Sequence, residues 1–258
     1  MLKVTLFTSL ALLMFASIDL LAQKKEKLNI VCDGNSLTYG QGVPVEMSYP
    51  ALLQKLFNKD SASGVTAAVH NMGVNGQTTP EMLFSMNKRL QEAFDPGADR
   101  NIVVAWEIRN HLVRHCTDRL AALNAYMTYC RRATELGYEV YAVTLLPTWS
   151  SVYCGDSSAA ALHKLEDDRN FVNRYLNKNH YDFSYGIIDV TSLSTIGIKG
   201  ANLPDGYVFS TDKPSATAYY LDGTHLNAEG NREIAEFVKK IIMNDSLLKT
   251  GYSFDADD

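Results

Sequence analysis

Five short apolar runs recur along the chain, each closed by a turn and followed by a stretch of helical character. That alternation constrains the fold more than any other feature. The runs are residues 28–32, 66–70, 102–106, 138–146 and 185–190. The third, Ile102-Val103-Val104-Ala105-Trp106, is apolar throughout, as a strand covered on both faces should be. The intervening stretches predict helices over 49–58, 80–93, 117–136 and 157–178, and a last one after Asn227. Ser48 stands near the first N-cap with Pro50 in the first turn, Thr79 caps the second helix, and Gly137 follows the third at C′. Leu120, Leu123, Met127, Cys130 and Ala133 fall on one helical stripe, as do Ile234, Val238, Ile241 and Ile242. Strands separated by helices imply parallel pairing through right-handed crossovers. The expected class is α/β, a three-layer α/β/α sandwich around a central parallel sheet of about five strands. Ligands of such sheets bind at the carboxyl ends of the strands.

One large domain can use the whole of this composition, with 46% of the 258 residues hydrophobic and 21% charged. The formal net charge of -5 and the lack of a basic stripe exclude nucleic acid as an expected partner. Lys3, the apolar run 4–15 and the small residue Ala22 read as a signal peptide over residues 1–22. The expectation is a secreted or periplasmic protein with a single domain over 23–258. Asp19 makes the leader a poor bilayer span, and no second run is long enough for one, so no membrane span is expected after cleavage. The oligomeric state is not legible.

Four cysteines in an exported chain allow three full pairings. Cys32 falls in a strand and Cys130 on a helix stripe, so both read as buried thiols. Cys116 and Cys154 fall in loops after successive strands and form the favoured pair. No cofactor is expected. His70, His111, His115, His163 and His180 have no metal-ligand spacing and read as polar or structural histidines, so no metal is expected either.

Two short segments carry chemistry. Ser36 sits in Asp33-Gly34-Asn35-Ser36-Leu37-Thr38-Tyr39-Gly40, directly after the first strand, and Asp222-Gly223-Thr224-His225 precedes the last helix. Together they hold a hydroxyl, an imidazole and a carboxylate, the parts of an activated serine nucleophile. A hydroxyl is barely ionised at neutral pH, so Ser36 needs a base; His225 is suited to that, and Asp222 would fix its tautomer. Read alone, Gly-Asn-Ser is a turn and Asp-Gly-Thr-His a helix-capping loop.

On these segments the sequence resembles the SGNH (GDSL-type) hydrolase family, over roughly residues 28–243. The family's Gly-Asp-Ser-Leu matches Gly34-Asn35-Ser36-Leu37, with Asn35 in place of Asp. Its glycine after the second strand matches Gly73, and its Gly-x-Asn-Asp matches Ile108-Arg109-Asn110-His111. Its Asp-x-x-His matches Asp222-Gly223-Thr224-His225. The resemblance implies a flavodoxin-like fold, a Ser36–His225–Asp222 triad and an acyl-enzyme. It also implies an oxyanion hole from the Ser36 and Gly73 backbone N–H groups and the Asn110 side chain.

The resemblance, with export and one domain, implies a carboxylic ester hydrolase that removes O-acetyl groups from a carbohydrate. The small-molecule or glycan ester would be its substrate. A lipase or lysophospholipase and a thioesterase are alternatives on the same fold. A glycan-binding protein with a degenerate site is the alternative from another class, given Asn35 and His111. Long loops beside a site often wall it, and residues 191–221 form one with Tyr207, Tyr219 and Tyr220. Trp149 and Tyr153 follow the fourth strand, where each either stacks on a sugar or packs a ring edge; His111 neighbours Asn110 and is a further substrate-contact candidate.

Overall fold

The computed structural model describes residues 25–60, 62–148, 152–196 and 218–249, with side chains to residue 244. The leader-like segment, Trp149 and Tyr207 therefore lie outside the described residues. Five strands, β1 (Glu26–Gly34), β2 (Val65–Asn71), β3 (Arg100–Trp106), β4 (Glu139–Val143) and β5 (Gly186–Ile188), form one parallel sheet in the order β2-β1-β3-β4-β5. Among the described residues seven α-helices accompany them: α1 (Ser36–Tyr39), α2 (Tyr49–Lys59), α3 (Thr79–Ala93), α4 (Arg109–His115), α5 (Arg119–Glu135), α6 (Ala159–Asn179) and α7 (Ala228–Lys249). The first strand lies one in from the edge; the path steps out to β2, then returns across β1 to β3. The carboxyl ends of β1 and β3 thus mark the point where strand order reverses, the usual ligand site of open α/β sheets.

Strand alternation divides the core into two layers. Leu28, Ile30 and Cys32 of β1 join Ile102, Val104 and Trp106 of β3 on one face, covered by Tyr49, Leu53 and Phe57 of α2 and Ile234, Val238 and Ile242 of α7. Val31, Val103 and Ala105 point the other way, under Met82, Met86 and Leu90 of α3, Leu112 of α4, Leu123 and Tyr126 of α5, and Val172 of α6. Each fully buried side chain of this kind contributes about 1.5–3 kcal/mol. Trp106 lies in the strand core, its indole donating to the Thr144 carbonyl at 3.0 Å and its ring edge-on to Tyr49.

The differences from the sequence reading are local. β4 ends at Val143 rather than at 146. Thr78, not Thr79, caps α3, in a reciprocal capping box with Glu81. Asp118 caps α5, so that helix opens at Arg119. The short helix α4 stands where a loop is expected. Among the described residues no helix is long and apolar enough to cross a membrane.

Candidate active site

The turn after β1 is fixed by a demand for close packing. A Cβ on Gly34 would lie 2.5 Å from the Trp106 carbonyl oxygen, so only glycine lets β1 end against β3 there. Asn35 caps the turn that follows, its Oδ1 accepting from the Leu37 N–H at 2.9 Å, and Ser36 is the first residue of α1. Ser36 is nearly buried, and its backbone N–H has no acceptor among the described residues.

The Asp222–His225 segment is built differently. Asp222 Oδ1 accepts from the Thr224 N–H at 2.9 Å and the His225 N–H at 2.7 Å, which folds the segment onto its own carboxylate. A single antiparallel bridge between Tyr220 and Leu226 closes the loop, and the Tyr220 hydroxyl donates to the Ile196 carbonyl at 2.6 Å. Asn231, in the first turn of α7, donates to the Leu226 and Asn227 carbonyls and accepts from the Tyr49 N–H at 3.0 Å. That contact ties the rear of the chain to α2.

The two segments meet. His225 Nδ1 lies 2.7 Å from Asp222 Oδ2, and His225 Nε2 lies 3.0 Å from Ser36 Oγ. With the Nδ1–H donating to the carboxylate, Nε2 keeps its lone pair for the Ser36 hydroxyl, which donates to it. Burial pulls the Asp222 carboxyl upward, but the hydrogen bonds from the His225 ring and from the His225 and Thr224 N–H groups outweigh it. The net result holds Asp222 below the usual carboxylate range. An ionised Asp222 facing a neutral imidazole is the arrangement that lets a serine lose its proton.

Asn110 lies in the first turn of α4, just past the end of β3. One of its amide hydrogens is used on the Gln77 carbonyl at 3.0 Å. β3 pairs with β1 so that Trp106 stands opposite Gly34, and this register brings the Asn110 and Ser36 turns to the same rim. Gly73 departs from expectation. Its N–H donates to Asn71 Oδ1 at 3.0 Å, so it is not an available oxyanion donor. The need for glycine there is steric: a Cβ would come within 2.2 Å of the Tyr39 backbone nitrogen. Gly76, three residues on at φ 73°, has an N–H without an acceptor among the described residues. The Val74 N–H, in the same loop, donates to the Gly34 carbonyl at 3.0 Å, so the loop lies against the serine turn.

The aromatic and histidine candidates part company. Tyr153 is buried, donates its hydroxyl to Asp168 Oδ2 at 2.8 Å and carries the Lys164 ammonium over its ring. It is an anchored core residue, not a stacking platform, because its one polar tip finds a buried carboxylate. Tyr220 is likewise buried. His111 is buried edge-to-face against His115, and burial together with that neighbour keeps its ring below the ordinary histidine range. That packing corrects the substrate-contact reading of His111.

Four charged or polar groups that sequence reasoning missed support the rim. Glu107, fully enclosed, accepts from the Asn110 N–H at 2.6 Å, the His111 N–H at 3.3 Å and the Thr79 hydroxyl. Burial pushes Glu107 up to about 7 against the pull of those bonds. Arg109 reaches Thr148 at 3.3 Å and Thr224, within the Asp222–His225 turn, at 3.4 Å. Burial lowers its guanidinium to about 10, with Glu107 and Asp222 opposing, so it stays cationic at neutral pH. Asp33 accepts from Arg89 at 2.8 Å and the Tyr129 hydroxyl at 2.7 Å; burial raises its carboxyl. Arg89 also holds the Met72 carbonyl, joining the ends of β1 and β2.

No family model and no curated protein matches the sequence. Solved structures do match. A member of the lipolytic protein G-D-S-L family from Veillonella parvula aligns at a TM-score of 0.55 and 13% identity, over 83% of this chain and 97% of that one. The fold is that of the SGNH (GDSL-type) hydrolases. An acetyl xylan esterase aligns at 0.55 and 18% identity, over 84% of this chain and 99% of the other. A GDSL-like lipase from Bacteroides thetaiotaomicron aligns at 0.55 and 15% identity, over 88% and 91%. On this SGNH scaffold the rim of the sheet presents a hydroxyl, an imidazole and a carboxylate in one hydrogen-bonded line, with amide donors beside them. Such a line can form and break an acyl bond.

Proposed function

We propose that the protein is a serine esterase of the SGNH family. The observation that carries this reading is the continuous chain Asp222–His225–Ser36, with links of 2.7 and 3.0 Å, between groups 189 residues apart. Ser36 Oγ attacks the ester carbonyl while His225 Nε2 takes its proton. The oxyanion is held by the Ser36 N–H and the Asn110 amide hydrogen not spent on Gln77. Collapse expels the alcohol, which receives the proton from Nε2. Water then attacks the acyl group with His225 again as base, releasing the acid and restoring Ser36.

For substrate, we propose an acetyl group on a carbohydrate, met outside the cytoplasm by a chain whose first 22 residues read as an export leader. Likeness to an acetyl xylan esterase supports this choice. The test is a panel of p-nitrophenyl acetate, butyrate and a long-chain ester beside acetate release from acetylated xylan and pectin. Preference for acetate and release from a polysaccharide are expected. Preference for the long chain would replace this reading with a lipase. Absence of turnover together with glycan affinity would replace it with a binding protein.

A further inference from the structure

Two of the four cysteines differ from the others in every respect. Cys32 and Cys130 are sealed in the two core layers, whereas Cys116 and Cys154 are exposed. Among the described residues, the non-glycine residues at positive φ are Cys116 at 49° and Cys154 at 55°. A side chain with a Cβ is disfavoured there, so the surrounding structure imposes both conformations.

That structure brings the two together. Cys116 is the C-cap of α4. The Cys154 N–H donates to the Val113 carbonyl in the last turns of the same helix, at 3.2 Å. Cys154 itself sits at the tip of a tight turn. Tyr153 and Asp156 exchange backbone hydrogen bonds of 2.9 and 3.0 Å across it, and the Tyr153 ring is pinned below by Asp168. Loss of surrounding water and the neighbouring Cys116 side chain push the Cys154 thiol up to about 11.

We propose that Cys116 and Cys154 are joined as a disulfide in the mature protein, stapling the end of α4 to the loop after β4. The oxidant is a low-molecular-weight disulfide such as oxidised glutathione, acting by two exchange steps. One cysteine thiolate displaces a glutathione thiolate to give a mixed disulfide; the second cysteine then displaces the other. Two S–H bonds are lost and one S–S bond forms, and two glutathione thiols carry away the protons and electrons. The bridge closes the segment that includes α5 and β4, and it fixes the helix that carries Asn110. It stands independently of the esterase reading.

The test is a count of free thiols. Full-length protein equilibrated with oxidised glutathione is denatured without reductant and treated with N-ethylmaleimide, then weighed intact and mapped as peptides. Two adducts, on Cys32 and Cys130, and a linked Cys116–Cys154 peptide are expected. Four adducts, or a bridge involving Cys32 or Cys130, would overturn the proposal. Thermal unfolding gives a second readout. Reductant should lower the midpoint of the wild type by several degrees and leave the Cys116→Ser/Cys154→Ser double variant unmoved. An equal response of the two proteins would also overturn it.

Discussion

The two halves of the candidate site are held by different physics. Ser36 stands on the core: β1 is buried on both faces, Gly34 is wedged against Trp106, and Asp33 just before it is locked by Arg89 and Tyr129. His225 stands on a surface turn that folds around its own Asp222 carboxylate, anchored to the body by Tyr220, Asn231 and Arg109. Ser36, the proposed nucleophile, is therefore placed by folding itself, while His225, the proposed base, is placed by a handful of polar contacts. Damage at the front should appear as lost stability, and damage at the rear as lost rate in a folded protein.

The largest effect tests the rear. His225→Ala should lower kcat on p-nitrophenyl acetate by about 10⁴-fold or more with an unchanged thermal midpoint. Asp222→Asn should cost less, because that residue orients the base without moving the proton. Asp222→Asn falling below His225→Ala would break the assignment of roles. Next comes the donor side. Asn110→Ala should reduce kcat by about 10²–10³-fold with a small change in KM, as loss of one oxyanion donor does elsewhere.

At the front, Arg89→Met leaves the Asp33 carboxylate buried without its cation. Urea denaturation should show a loss of about 3 kcal/mol, the scale for breaking a buried pair from one side. A fully stable Arg89→Met protein with slow turnover would invert the comparison. Arg109→Gln sharpens it, because Arg109 bridges the two halves. A roughly tenfold drop in kcat is expected, partly restored by lysine, with little change in stability.

A further effect is on pH dependence. The Glu107 carboxyl is raised from an ordinary 4.5 to about 7, so the folded chain holds a proton there that the unfolded chain has released. Stability from this group is therefore full below pH 4.5 and declines as pH rises towards 7, on the order of 3 kcal/mol in total. Thermal midpoints of wild type and Glu107→Gln across this range should converge or cross as pH rises. Parallel curves would show that the group does not titrate there.

The layered fold was legible because strands buried on two faces and amphipathic helices each leave a period in the sequence. The Asp222–His225–Ser36 line was legible because its three residues lie in short motifs at element ends. Helix α4 was not, since seven residues with two arginines and two histidines carry no apolar stripe. That the Gly73 N–H is already spent was not legible, because it is set by the Asn71 side chain. Nothing in the sequence singles out Arg89 or Arg109; only the tertiary fold supplies the carboxylates and hydroxyls that draw them inward. Tyr153 was ambiguous for the reason that buried it, since a ring with one polar tip fits a wall or a core equally well.

The most direct measurement is site mapping with a fluorophosphonate, which labels only a serine already activated by a base. Wild-type protein should acquire one adduct, on Ser36, and Ser36→Ala and His225→Ala should acquire none at neutral pH while remaining folded. An adduct on another residue, or undiminished labelling of Ser36 once His225 is gone, would contradict the pairing of hydroxyl and imidazole.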